Sequence, residues 1–453
     1  MTQDKRYHMM TESDLHRLIP KLAVPTIISM LVTSVYNTAD TYFVSKISTE
    51  ASAAVGIIFS LMALIQALGF AVGIGSSTYV SRLLGEKKQE DADKAVSTAF
   101  FLALALGTVF AAVGLTFCTP IVRLLGAIEE VEPFAVDYAT YIFLGAPFMM
   151  GLYVLNNQMR AQGYALLSMI GILSGGILNI ALDPLFIFTF GWGIKGAAIA
   201  TVISQFLSFW ILFFLNQYKK STISVRFRAF RPSVPFFREM LRGGAPSLCR
   251  QGLASLSAVV LNYAAGPFGA VALSAMSIVN RIVQLINSVL IGFGQGFLPV
   301  CGFNFGAKRY DRVLDAYRFC IKVGVVLISV FGVITFFSAE TVMTWFKADD
   351  AEVIEIGTAA LRYQCFTLPL QAAMMLSQFL CQAIGYGTRA SLIAMGRQGL
   401  FLIPLYWIFS RTIGVLGVQI AQPCSDVITA VMTFLLLRTV YKKLNDKAKS
   451  TNR

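Results

Sequence analysis

The chain has 453 residues, 56% of them hydrophobic and only 13% charged. A soluble globular protein carries about a quarter charged residues, so that class is excluded. The apolar runs, roughly 20 residues or longer, are long enough to cross a hydrocarbon core as helices. In lipid the backbone must satisfy its own hydrogen bonds, which makes an all-α membrane protein the expected fold class. The net charge of +13 would point to nucleic acid in a soluble protein. Here it lies beside apolar runs on one side of a bilayer, so no nucleic-acid partner is expected.

Residues 1–18 form a polar arm without a signal-peptide core, and both histidines, His8 and His16, lie in it. A histidine-based metal site is therefore not expected. Twelve spans follow, at 19–45, 53–82, 95–118, 135–158, 165–190, 196–216, 240–264, 270–300, 316–339, 354–383, 389–410 and 415–438. The first carries Pro25, Tyr36, Asn37 and Asp40. The second ends at Gly85-Glu86-Lys87. The third leads into an acidic loop with Glu129, Glu130 and Glu132. The fourth carries Pro147, Phe148, Met149, Met150, Tyr153 and the consecutive amides Asn156, Asn157 and Gln158. The fifth holds Asn179, Asp183 and Pro184, and the sixth has Thr201 near its outer start. The basic stretch 217–239, with Pro232 and Pro235, reads as a linker between an N-lobe (1–216) and a C-lobe (240–453). In the C-lobe, Arg250, Arg281, Arg397 and Asp426 lie at middle depths, and Met374 and Met375 lie in the tenth span.

Lysines and arginines set the orientation. Those of the N-terminal arm, of the 82–94, 219–242 and 308–322 segments and of the tail, with Arg160 and Arg389, fall on one side, and Lys46, Arg123, Lys195, Lys347 and Arg411 on the other. The positive-inside rule then puts both termini in the cytoplasm.

The halves repeat at a nearly constant offset. Pro25 corresponds to Pro246, Gly85 to Gly306, Pro147 to Pro369 and Gly163 to Gly385. Six helices per half give both halves the same orientation, so the pseudo-two-fold axis runs along the membrane normal. A substrate path is expected between the two six-helix lobes.

Charged groups inside spans are costly and usually functional. Asn37 and Asp40 are three apart, and Asn179 and Asp183 four apart, so each pair shares a helix face. Counted along the helical rise from the ends of their spans, Asp40, Asp183 and Thr201 reach similar heights in the outer half. Two carboxylates held close in a low dielectric would not both stay ionised, so the site would take up a proton or a cation such as Na⁺. A purely structural hydrogen-bonded pair is the alternative. Pro25 is either a packing kink or a hinge that answers Asp40. Pro184 frees a backbone carbonyl for a ligand or a second hinge.

Asp426 is expected to form a structural ion pair with Arg281 or Arg397, and Arg250 to line an aqueous cleft. Met149 and Met150 suit an adaptable pocket for varied apolar cations as well as ordinary packing. No nucleotide-binding or hydrolase signature occurs in the short loops, so no enzymatic activity is expected.

The segments Pro25 with Tyr36-Asn37-Thr38-Ala39-Asp40-Thr41, Ser81-Arg82-Leu83-Leu84-Gly85, Asn179-Ile180-Ala181-Leu182-Asp183-Pro184 and Gly191-Trp192-Gly193-Ile194-Lys195-Gly196 resemble the multidrug and toxic compound extrusion family, in its DinF-like and MepA-like branch. The resemblance spans nearly the whole chain. It implies a V-shaped twelve-helix transporter of a bacterial cell membrane, exchanging small organic substrates for H⁺ or Na⁺ by alternating access, without a cofactor and as a monomer. It carries coupling onto Asp40, Asn179, Asp183 and Thr201. Tyr36, Asn37, Asn156, Asn157, Met149, Met150 and Arg250 are the residues expected to contact substrate. NorM-type relatives also use acids in the seventh and tenth spans, and this chain has none there. A lipid-linked oligosaccharide flippase of the same superfold is the alternative, for which the mid-membrane arginines would suit a pyrophosphate. A channel or receptor would show ion flux without exchange, or binding without flux.

Overall fold

A computed structural model describes residues 3–218, 225–347 and 350–451. Residues 219–224 of the expected linker and 348–349 of the second acidic loop lie outside the described residues. The described chain is helical: α1 (Gln3–Glu12), α2 (Leu15–Ser45), α3 (Thr49–Gly85), α4 (Gln89–Thr116), α5 (Cys118–Leu124), α6 (Glu132–Ala161), α7 (Ala165–Pro184), α8 (Gly193–Tyr218), α9 (Val234–Ala265), α10 (Gly269–Gly306), α11 (Tyr310–Phe346), α12 (Ala351–Ala383), α13 (Gly387–Met395), α14 (Leu402–Thr412) and α15 (Val415–Thr451). Each expected span falls on a helix, the fifth continuing α7 through a π turn at Leu185–Thr189 and the eleventh joining α13 to α14 through a π turn at Gly396–Leu400.

Among the described residues, ten stretches are long and apolar enough to cross a membrane, and one of them, Val234–Gly306, contains both α9 and α10. Helix α12 falls short of that apolarity because it carries Gln364, Gln371, Gln378 and Gln382, all of them buried. Its polarity is spent inside the protein rather than in lipid.

Side-chain caps start several helices. Ser48 accepts from the Ala51 amide at 3.1 Å and Asp350 from the Val353 amide at 3.2 Å. The repeat is visible in the backbone at helix ends. Lys87 and Lys308, which correspond in the repeat, both take φ of 59°, a left-handed conformation uncommon outside glycine. The amides of Lys88 and Arg309 each close that turn at 2.9 Å on Leu83 and Asn304. Gly163 and Gly385 take φ of 81° and 83° at the ends of α6 and α12.

The two halves grip each other through α2, α3, α9 and α10. Helix α3 packs on α9, and α10 on α2. Repeat-related glycines permit this approach. A Cβ on Gly85 would fall 2.1 Å from the Phe303 carbonyl, and one on Gly306 would fall 2.1 Å from the Arg82 carbonyl. Arg82 adds an ion pair to Glu239 at 2.7 Å, and buried Arg160 donates to Gln295 across the same junction. These contacts lie at the end of the bundle that carries Lys87, Lys88, Lys308 and Arg309. The polar arm folds as α1 and docks at this junction. Its Met10 and Thr11 carbonyls accept from Asn304 at 3.0 Å and Arg309 at 2.9 Å.

Candidate functional site

The N-lobe acids sit where α2, α6, α7 and α8 converge. Asp183 is fully buried, and Asp40, Asn179 and Thr201 are nearly so. Asn179 donates from one amide nitrogen to Asp183 Oδ1 at 3.1 Å and to Thr201 Oγ1 at 3.4 Å. The i,i+4 spacing on α7 accounts for the first contact, and the packing of α7 on α8 for the second. Asp40 does not bond to Asp183. Its Oδ2 accepts from Tyr138 Oη of α6 at 3.3 Å. Tyr138 thus bonds one acid, and Asn179, which also reaches Thr201, bonds the other.

Tyr138 is absent from the expected set. The one available signal was a phenol at the start of the fourth span, where a buried hydroxyl needs a partner.

Three acceptor oxygens of this group, Asp40 Oδ1, Asp183 Oδ2 and Asn179 Oδ1, are buried without a hydrogen-bond partner among the described residues. Buried polar groups are otherwise almost always paired. A cluster of unpaired acceptors, with two carboxylates among them, is chemically suited to a proton or a hard cation.

Asn179 and Thr201 also line a cavity inside the N-lobe, with Tyr36, Gln66, Tyr153, Asn156 and Gln205. Gln205 donates to Tyr36 Oη at 3.3 Å. The cavity and the acid cluster therefore share two residues.

The remaining expected residues divide. Tyr36 and Asn156 line the cavity. Asn37 is half-buried and does not. Asn157 turns instead toward Arg160, accepting at 3.0 Å. Met149 and Met150 are buried in the hydrophobic core, away from the cavity. Pro25 lies buried within an uninterrupted α2, and Pro184 ends α7 immediately before the π turn.

In the C-lobe, Asp426 pairs with Arg397 at 3.3 Å. Arg281 is exposed and has no ion-pair partner among the described residues, so of the two expected partners only Arg397 is used. Arg250 lines a C-lobe cavity with Met374, Met375 and Arg397. No group of three or more histidine, cysteine or acidic residues with metal-holding geometry occurs among the described residues.

Known proteins place these features in a family. The chain is 28% identical over 446 residues to the multidrug export protein MepA of Staphylococcus aureus (strain MSSA476), covering 98% of each. It is 26% identical over 450 residues to MepA of Staphylococcus haemolyticus, again with 98% of each covered. Among solved structures, a MATE in complex with MaL6 matches with a TM-score of 0.92 at 27% identity, over 98% of this chain and 99% of that one. An outward-facing conformation of a multidrug resistance MATE transporter matches with a TM-score of 0.91 at 28% identity, over the same shares. The MatE family pattern matches twice, over residues 25–185 and 246–408, and the two matches begin at Pro25 and Pro246, the prolines that open the internal repeat. The chain is a member of the MatE family.

Proposed function

We propose that this protein exports small organic molecules, drugs among them, across a bacterial cell membrane in exchange for H⁺ or Na⁺. The N-lobe (1–216) and C-lobe (240–453) move about each other through the 217–239 linker, as a monomer with both termini in the cytoplasm. The observation that carries this reading is the set of unpaired buried oxygens on Asp40, Asp183 and Asn179, adjoining a cavity that shares Asn179 and Thr201 with it. An ion taken up there satisfies the oxygens and alters the wall of the cavity at once. Occupancy by ion and by substrate are thereby coupled, as exchange requires.

The closed cytoplasmic junction at Gly85, Gly306 and Arg82–Glu239 supports an outward-open state. The likeness to proteins named for multidrug export supports the substrate class.

Purified protein in liposomes, loaded with tetraphenylphosphonium and given an inward Na⁺ gradient or an inward pH gradient, tests the reading. One of the two gradients should drive the cation uphill. Uphill movement under neither gradient contradicts it.

A further inference from the structure

The C-lobe cavity is the repeat mate of the N-lobe cavity. At the offset that relates Pro147 to Pro369, Met375 corresponds to Tyr153, Gln378 to Asn156 and Arg397 to Gly175, and all six line their respective cavities. Helix α9, the mate of α2, supplies Arg250, as α2 supplies Met30, Thr33 and Tyr36. Duplication has therefore kept two pockets, one in each lobe.

Their polarity is opposite. The N-lobe pocket adjoins two carboxyl groups and contains no basic side chain. The C-lobe pocket contains two guanidinium groups, and a single acid, Asp426, stands behind them.

Arg397 is already committed. It donates to Asp426 at 3.3 Å and to Gln371 Oε1 at 2.7 Å. Its position is fixed by the π turn, whose carbonyls are recovered by hydroxyls: Ser425 donates to the Arg397 carbonyl at 3.4 Å, and Ser257 to that of Gln398. Such turns inside helices recur at functional sites.

Arg250 is not committed. It has no hydrogen bond or ion pair among the described residues, and its Nε is buried without an acceptor. A guanidinium facing a cavity at mid-membrane depth without a counter-charge is costly unless something arrives to pair with it. Its fork geometry suits the two oxygens of a carboxylate or phosphate. Gln378 offers an amide beside it, with a buried Nε2 that also lacks an acceptor, and Met374 and Met375 supply an adaptable apolar wall.

We propose that the C-lobe cavity is an anion subsite, in which Arg250 and Gln378 take up a carboxylate or phosphate group while Arg397 stands behind them. This rests on the exporter reading and extends its substrate class from simple cations to molecules that also carry an anionic group.

The test is a matched pair of probes on purified full-length protein in vesicles: rhodamine B, which carries a cation and a carboxylate, and its ethyl ester, which keeps only the cation. Wild-type protein should bind the acid more tightly than the ester by roughly tenfold or more, the worth of a charge-assisted hydrogen bond. Arg250→Gln should bring the ratio to about 1, and Arg250→Lys should leave it between the two. A wild-type ratio of 1, including the case in which neither probe binds, overturns the subsite, as does a ratio that Arg250→Gln leaves unchanged.

Vesicles of phosphatidylcholine alone and with phosphatidylglycerol locate the source of the anion. A lipid headgroup seated at Arg250 lowers the ratio when phosphatidylglycerol is present, whereas an anion on the transported molecule leaves it constant. Either outcome supports the subsite when the ratio exceeds 1 in phosphatidylcholine. Gradient-driven export of tetraphenylphosphonium by wild type is read in parallel. Its loss breaks the exporter reading, and its presence beside a ratio of 1 breaks only the subsite.

Discussion

Buried aspartates in the two lobes meet opposite treatment. Asp426 in the C-lobe is surrounded by donors: Gln371 at 2.7 Å, Thr367 at 3.0 Å and Gln422 at 3.1 Å, with Arg397 as counter-ion. Asp40 and Asp183 in the N-lobe each have one side-chain donor, and each keeps one oxygen without a partner. A fully satisfied charge is a structural fixture, because nothing remains for a ligand to supply. An unsatisfied one leaves an acceptor that a ligand can satisfy. A carboxyl group buried in a membrane span is therefore not by itself evidence of ion coupling. What its oxygens are bonded to decides.

The contrast can be broken by substitution. Asp426→Ala should have the largest effect on stability, because it leaves the Arg397 guanidinium buried without its charge partner. Loss of one member of a buried pair costs about 3–5 kcal/mol, read as a fall in the thermal unfolding midpoint of the purified protein. An unchanged midpoint would mean that Asp426 is not the fixture described.

A smaller effect is expected at Tyr138→Phe, which removes the side-chain donor to Asp40 and leaves the fold intact. A hydrogen bond to a charged group contributes about 1.5–3 kcal/mol. Losing it makes the Asp40 carboxylate poorer in donors and more receptive to a cation. The apparent affinity for the driving ion should rise, by roughly tenfold, in the dependence of export on ion concentration. No shift would remove Tyr138 from the site.

Much of this architecture was legible from local pattern. Apolar run lengths and the lysine and arginine distribution placed the twelve helices, and the prolines and glycines of the repeat located the helix ends that the backbone shares. The Asn179–Asp183 contact was readable because it lies on one helix at i,i+4. What could not be read depends on packing between helices. Tyr138 reaches Asp40 from a helix 98 positions away in sequence, and the choice of Arg397 over Arg281 follows from which face of each helix turns inward. Helix α1 has no apolar pattern to announce it, because its apolar contribution is slight, mainly Tyr7, Met9 and Met10 against the core.

Gradient-driven export by Asp183→Asn and Asp40→Asn, reconstituted beside the wild type, bears most directly on the N-lobe acids as the seat of the driving ion. Each variant should stay folded in the membrane, bind tetraphenylphosphonium and fail to move it against its gradient under the ion that drives the wild type. Uphill export at the wild-type rate by both variants would contradict the account.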